Sequence, residues 1–192
     1  LGEGAAAAAN GQEPGDIKVQ DVDGNGVITT DDRIIYSQRP DVTFGFNNTF
    51  NYKGFDLSVF LYARLGQWIA YDYNTTYRIN ALENGGNVDY WTPENPTNAF
   101  PRPNKSKSYT QVTYYSTLKY EDGSFFKIRD ITLGYTFKPE LLKHLNLSKL
   151  RVYATAKNFF TFSKIDNYDP EQGGSISFPM TKQLVFGLNV EF

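Results

Sequence analysis

The sequence predicts an all-β fold, about five antiparallel strands of a large transmembrane β-barrel with long extracellular loops, and three observations carry that reading. Aromatic residues make up 16% of the chain, with 14 Tyr and 15 Phe beside a single Met. Such side chains suit pleated, half-buried surfaces. Apolar and polar residues alternate with a period of two through segments of about 10–13 residues, close to the roughly 9–11 that a tilted strand needs to cross a bilayer. The connections between these segments alternate between short and long, as in barrels with short periplasmic turns and long extracellular loops.

The opening LGEGAAAAANGQEPGD is small and low in complexity, and Pro14-Gly15 stops any helix the alanines begin. An acidic loop, DVDGNGVITTDD at residues 21–32, then leads through RIIYSQRPD into the first strand. In that strand Val42, Phe44, Phe46, Phe50 and Tyr52 share one parity; Thr43, Gly45, Asn47, Thr49 and Asn51 hold the other. Lys53-Gly54 is a tight turn. Phe55, Leu57, Val59, Leu61, Ala63 and Leu65 then alternate with Asp56, Ser58, Phe60, Tyr62, Arg64 and Gly66, which completes a β-hairpin.

From about Ile69 to Asp122 the periodicity is lost, and WTPENPTNAFPRPN, with its prolines and asparagines, is loop chemistry. Strand character returns in SFFKIRDITLGYTF, where Ile131, Leu133, Tyr135 and Phe137 share a parity that Phe126 and Ile128 do not. Either the upper part leaves the apolar environment, or a bulge near Asp130 resets the register. KPELLKHLNLSK is a short connection with one helical turn. LRVYATAKNFFTF is the fourth strand, a Gly-, Pro- and Asn-rich loop follows, and KQLVFGLNVEF is the fifth. The domain reading is a loop region over residues 1–41 and barrel over residues 42–192.

Several functions are excluded at this level. A net charge of −2 gives no electrostatic footprint for nucleic acid. The absence of cysteine rules out disulfides and thiolate catalysis. There is no Ser/His/Asp constellation and no phosphate loop, so no enzyme is expected. The only histidine, His144, lies in the short connection without ligand-spaced neighbours and reads as a solvated turn residue. A soluble β-sandwich explains the alternation as well as a barrel does, but not the strand lengths, the loop asymmetry or the terminal Phe192. Five strands cannot close so wide a barrel, and an open edge in lipid strands backbone groups, so further strands are expected upstream.

Taken together and in order, GQEPGDIKVQDVDGNGVITTDDR, PDVTFGFNNTFNYKGFDLSVFLYA, YEDGSFFKIRDITLGYTF, LRVYATAKNFFTF, NYDPE and LVFGLNVEF resemble the C-terminal region of the SusC/RagA-type TonB-dependent outer-membrane transporters of Bacteroidetes. The resemblance implies a plugged barrel that imports oligosaccharide or peptide with a SusD-like surface lipoprotein. It also implies energy supplied through the TonB complex to a plug encoded upstream. The alternative is a soluble or surface-exposed calcium-binding β-sandwich module for adhesion or glycan binding.

The candidate sites follow. Asp21, Asp23 and Asn25 take the first three ligand positions of an EF-hand-like loop, with Gly26 at the sharp turn. The Val27 carbonyl, Thr29 and Asp32 complete an all-oxygen set suited to structural calcium, although Asp32 stands where a longer Glu is usual. The competing reading is an Asx-rich turn without an ion. Trp68 and Tyr71 are expected in an interfacial aromatic girdle. Tyr77, Tyr90 and Trp91 are candidates for sugar stacking or contact with the lipoprotein. Arg64, Arg151, Lys157 and Glu191 fall on the parity that faces the lumen. Phe192, on the lipid-facing parity, resembles the signal read by the barrel-assembly machinery. Strand parity then places the C-terminus in the periplasm and the acidic loop outside the cell.

Overall fold

A computed structural model describes residues 13–71, 89–102 and 119–192. By backbone proximity the chain forms two compact units, Leu1–Tyr36 with Ala70–Glu121, and Ser37–Ile69 with Asp122–Phe192.

Five long strands form one antiparallel sheet. They are β1 (Val42–Tyr52), β2 (Phe55–Leu65), β5 (Phe125–Thr136), β6 (Lys149–Ser163) and β7 (Gln183–Glu191), paired in that order. Two shorter strands, β3 (Trp68–Ala70) and β4 (Tyr120–Asp122), make a separate two-stranded sheet. The sequence reading did not anticipate this pair, because three residues are too few to show a period.

The β1–β2 hairpin closes as its turn dictates. Lys53 and Gly54 both have positive φ, 48° and 89°, the mirror-image turn whose twist matches that of the strands it joins. Register then runs from Tyr52 opposite Phe55 to Val42 opposite Leu65 without interruption. Between β5 and β6 lies α1 (Pro139–Leu142), with Pro139 opening it and Leu142 buried, followed by a 3-10 turn over Lys143–Leu145. Asn146, in the left-handed region at φ 52°, stops the turn. His144 is exposed there.

The parity conflict in β5 resolves as a bulge. Asp130 faces Phe60 and Ile128 faces Leu61, so Arg129 is an extra residue in the ladder. The β6 partner loses register at the same place, where Asn158 takes a positive φ of 58°. Above the bulge Phe125 and Lys127 share a face with Tyr62 and Arg64; below it Asp130, Thr132 and Gly134 share that face with Phe60, Ser58 and Asp56. One face of the sheet thus carries the charged and hydroxyl side chains from top to bottom, interleaved with Phe60, Tyr62 and Phe125.

The other face is apolar and bare. Phe44, Phe46, Phe50, Phe126, Leu133, Phe162, Leu184, Phe186 and Leu188 are all more than one-third exposed, Phe186 at 74%. Among the described residues no second sheet covers them. A β-sandwich would bury this face between two sheets, so the sandwich alternative is set aside.

Candidate functional site

The polar face carries two groups of charged side chains. At its upper end Lys127 lies between Tyr62 on β2 and Thr161 on β6, with its side chain wholly inaccessible to solvent. A buried ammonium persists only when paired and fully hydrogen-bonded. Its Nζ donates to Asp169 Oδ1 at 2.8 Å, to Asp169 Oδ2 at 2.7 Å and to Glu171 Oε2 at 2.8 Å. The Phe125 ring lies 5.6 Å from the same nitrogen. Arg129, the bulge residue, forms an ion pair with Glu171 Oε1 at 3.0 Å. The carboxylates are themselves positioned. Asp169 caps the 3-10 turn Pro170–Gln172 by accepting from the Glu171 N–H at 3.0 Å.

Lower on the face, Arg151 grips Asp56 with two parallel hydrogen bonds, Nε to Oδ1 at 2.9 Å and an Nη to Oδ2 at 2.5 Å. These residues sit on β6 and β2, and the strand between them passes beneath the pair at Gly134. A Cβ there would lie 2.5 Å from both the Arg151 Nη and the Asp56 Oδ1, so any larger residue would have to push the pair aside. The Arg151 guanidinium also stacks on Tyr153 at 4.9 Å from the ring centre, and that ring lies over Gly187 of β7. The Thr132 and Thr155 hydroxyls meet at 2.8 Å, and Lys149 pairs with Glu191 at 3.0 Å. Arg151 and Glu191 therefore sit on the polar face as parity predicts. Arg64 does too, donating through Nε to the Tyr62 hydroxyl at 2.8 Å.

The acidic loop, in the other unit, is a closed set of side-chain-to-backbone bonds. Asp21 accepts from the N–H groups of Gly24 and Gly26, both at 2.7 Å, and those glycines hold φ of 74° and 82°. Asn25 Oδ1 accepts from Val27 N–H at 2.8 Å. Asp32 accepts from Thr29 N–H at 2.6 Å and Val22 N–H at 2.7 Å, and these two bonds hold its carboxyl below the ordinary value. The loop leaves through a 3-10 turn, Thr30–Asp32, with Thr29 and Asp32 as a reciprocal capping box. Carboxylate oxygens of Asp21, Asp23 and Asp32 lie within 4.8 Å of one another. Each of these three carboxylates keeps lone pairs beyond those used in the loop, so the cluster offers hard oxygen donors of the kind calcium takes.

Of the aromatic candidates, Tyr77 lies outside the described residues. Tyr90 bridges to Phe100 and is 36% exposed. Trp91 has one ring face laid against the backbone of Gly15, where a Cβ would collide with it. Its segment is knotted by Asp89, which accepts from the Thr97 hydroxyl at 2.6 Å and the Asn95 amide at 2.7 Å. Those bonds hold the Asp89 carboxyl below its ordinary value, so their contribution is complete above the usual carboxylate range and fades as pH falls through it. Tyr71 is buried, not exposed as a girdle residue would be, whereas Trp68 is 36% exposed.

No protein-family model matches the sequence. Curated relatives do. TonB-dependent receptor P3 of Formosa agariphila is 31% identical over 213 residues, covering 99% of this chain and 20% of that protein. TonB-dependent receptor SusC of Bacteroides thetaiotaomicron is 31% identical over 181 residues, covering 90% of this chain and 17% of that protein. Among solved structures, the RagAB peptide importer in its closed-closed state matches with a TM-score of 0.68 and 27% identity over 91% of this chain. The chain belongs to the SusC/RagA-type TonB-dependent receptors.

It spans about a fifth of the length of the curated relatives it matches. SusC/RagA-type receptors are outer-membrane barrels, so the bare apolar face meets lipid and the polar face looks into the barrel. In this receptor segment the buried charged cluster that sequence reasoning missed is Lys127, Asp169 and Glu171. The only available sign was the parity break in β5, which placed a lysine among residues otherwise read as lipid-facing.

Proposed function

We propose that this chain is the C-terminal barrel segment of a TonB-dependent importer of oligosaccharide or peptide that works with a SusD-like surface lipoprotein. The observation that carries the reading is the two-faced sheet. A 74%-exposed Phe186 and its apolar neighbours stand on one side, and buried or bidentate ion pairs stand on the other. Such a sheet is built to separate lipid from a polar interior. The kinship with SusC and with the RagAB peptide importer supports uptake as the task. Deleting the full-length gene and supplying defined glycans and peptides as sole nutrient tests this. Growth should fail on one substrate class and return on complementation only in cells with an intact TonB system. Growth indistinguishable from wild type on every class would overturn it.

In the same reading the C-terminus is periplasmic and Phe192, 93% exposed after the end of β7, serves the barrel-assembly machinery. Removing Phe192 from the full-length protein should lower its outer-membrane level several-fold; an unchanged heat-modifiable band on gels would sink the idea.

Asp21, Asp23, Asn25, the Val27 carbonyl, Thr29 and Asp32 would hold a structural calcium ion that ties the two ends of the loop together. The oxygen-only donor set and the positive-φ glycines support it. At a calcium level about 100-fold above the dissociation constant, linkage adds roughly 2.7 kcal/mol to the folded loop. Chelation should therefore speed proteolytic cleavage within residues 13–36 by about tenfold or more. A D21N/D23N receptor should cleave fast with or without calcium. Equal cleavage of the wild type in both conditions would refute the site.

A further inference from the structure

We propose that the β6–β7 connection, residues 164–182, is a strap fixed along the inner wall of the barrel and locked there by Lys127. A loop leaving the rim of a barrel would be expected to rise away from the strands. This one turns back. Asp169 and Glu171 reach Lys127, which belongs to β5, so the connection crosses the width of β6 to find its partner. It crosses on the polar face, since Lys127 shares that face with Tyr62 and Thr161. The Thr161 hydroxyl, 3.4 Å from Asp169 Oδ2, marks the path over β6.

Burial confirms that the strap lies on the wall. Pro170, between the two carboxylates, is fully buried, as is Lys127, and Ile165 is 8% exposed. The returning limb is held by Asn158, whose side-chain amide donates to the Thr181 carbonyl at 3.2 Å. Asn158 is the positive-φ residue of the β6 irregularity, so the bulged level of the wall provides both anchors, Arg129 and Asn158. Between wall and strap remains a cavity of about 500 Å³ reached by Thr161, Ser163, Tyr168 and Met180.

The charges make this a lock. Lys127 and Arg129 balance Asp169 and Glu171, so the closed arrangement is neutral. Neutralising Asp169 and Glu171 leaves the fully buried Lys127 ammonium without an anion, and neutralising Lys127 leaves the largely buried Asp169 without its cation; either favours lifting the strap into solvent. The strap narrows the interior at the outer end of the sheet, whatever cargo passes. The inference rests on the barrel placement and not on the importer reading.

Hydrogen exchange read by mass spectrometry on the full-length receptor in detergent micelles tests it, with wild type, D169N/E171Q and K127Q compared. The double variant changes only the strap and leaves every wall strand intact. Peptides within 165–176 should exchange slowly in the wild type and about tenfold or more faster in both variants, the mark of a local opening. Peptides of β5 and β7 should keep wild-type rates. Exchange of 165–176 unchanged within about twofold in both variants would overturn the proposal. So would an acceleration spread equally through 183–191, because that reports loss of the sheet and not release of a strap.

Discussion

A Gly187→Val receptor should assemble into far less folded barrel than the wild type, and Tyr153→Ala in the same chain should restore much of the loss. Gly187 sits directly opposite Tyr153 in the β6–β7 ladder, and the tyrosine ring occupies the place a side chain would need. A glycine inside a strand normally weakens it, through chain entropy and the missing packing. Here the neighbouring ring covers the gap, and the Arg151 guanidinium on its other flank holds the ring down. A valine must push the ring aside, which breaks that stack and overpacks the last hairpin at a cost of about 1–3 kcal/mol. The urea midpoint of the purified receptor should fall accordingly. The double variant replaces a ring over a glycine with a valine beside an alanine, so its loss should be smaller than the sum of the two single losses. Additive losses would mean that the ring and the glycine do not depend on one another.

Arg151→Met should cost about 1.5–3 kcal/mol, the range for hydrogen bonds to a charged group. The substitution leaves the Asp56 carboxylate, with about a quarter of its side chain exposed, facing an apolar chain across Gly134. The remedy is specific. Adding Asp56→Asn removes the stranded charge, so the double variant should be more stable than R151M alone. Asp56→Asn alone should be milder, since Arg151 keeps its stack on Tyr153. Unfolding midpoints of the four proteins form a cycle, and a coupling indistinguishable from zero would show that the pair does not brace β2 against β6.

How much of this was legible in the chain depended on distance along it. The five long strands are written in period two, and each was found within a few residues of its ends. The acidic loop was equally legible, because all its donors and acceptors lie within twelve consecutive positions. The bulge at Arg129 was half legible. Alternation in one strand shows that parity changes, but only the partners, Phe60 against Asp130 and Leu61 against Ile128, show which residue is extra. The ion pairs were not legible at all. Lys127 and Asp169 are 42 positions apart, and Asp56 and Arg151 are 95 apart. No local pattern records which cation meets which anion across a sheet, and NYDPE gives no hint that it is folded inward. Nor does the sequence record why residues 134 and 187 are glycines, since the side chains that cross above them come from neighbouring strands.

The extra residue in β5 also bears on how such a wall can change in length. Counted without Arg129, the strand alternates strictly: Phe125, Lys127, Asp130, Thr132 and Gly134 inward, with Phe126, Ile128, Ile131 and Leu133 between them. Arg129 is an insertion the wall has already absorbed. A single-residue deletion well away from it would turn one end of the strand inside out, so that polar residues such as Lys127 or Thr132 face hydrocarbon, at a cost that rises toward the bilayer midplane. Loss of Arg129 itself would leave its neighbours facing as before and make the β2 ladder regular, at the cost of its pair with Glu171 and a wider irregularity against β6. A deletion scan across residues 125–136 should therefore return a folded barrel at that one position and at few others. Tolerance to insertion and deletion, usually the property of loops, is here concentrated in a single residue of a membrane strand.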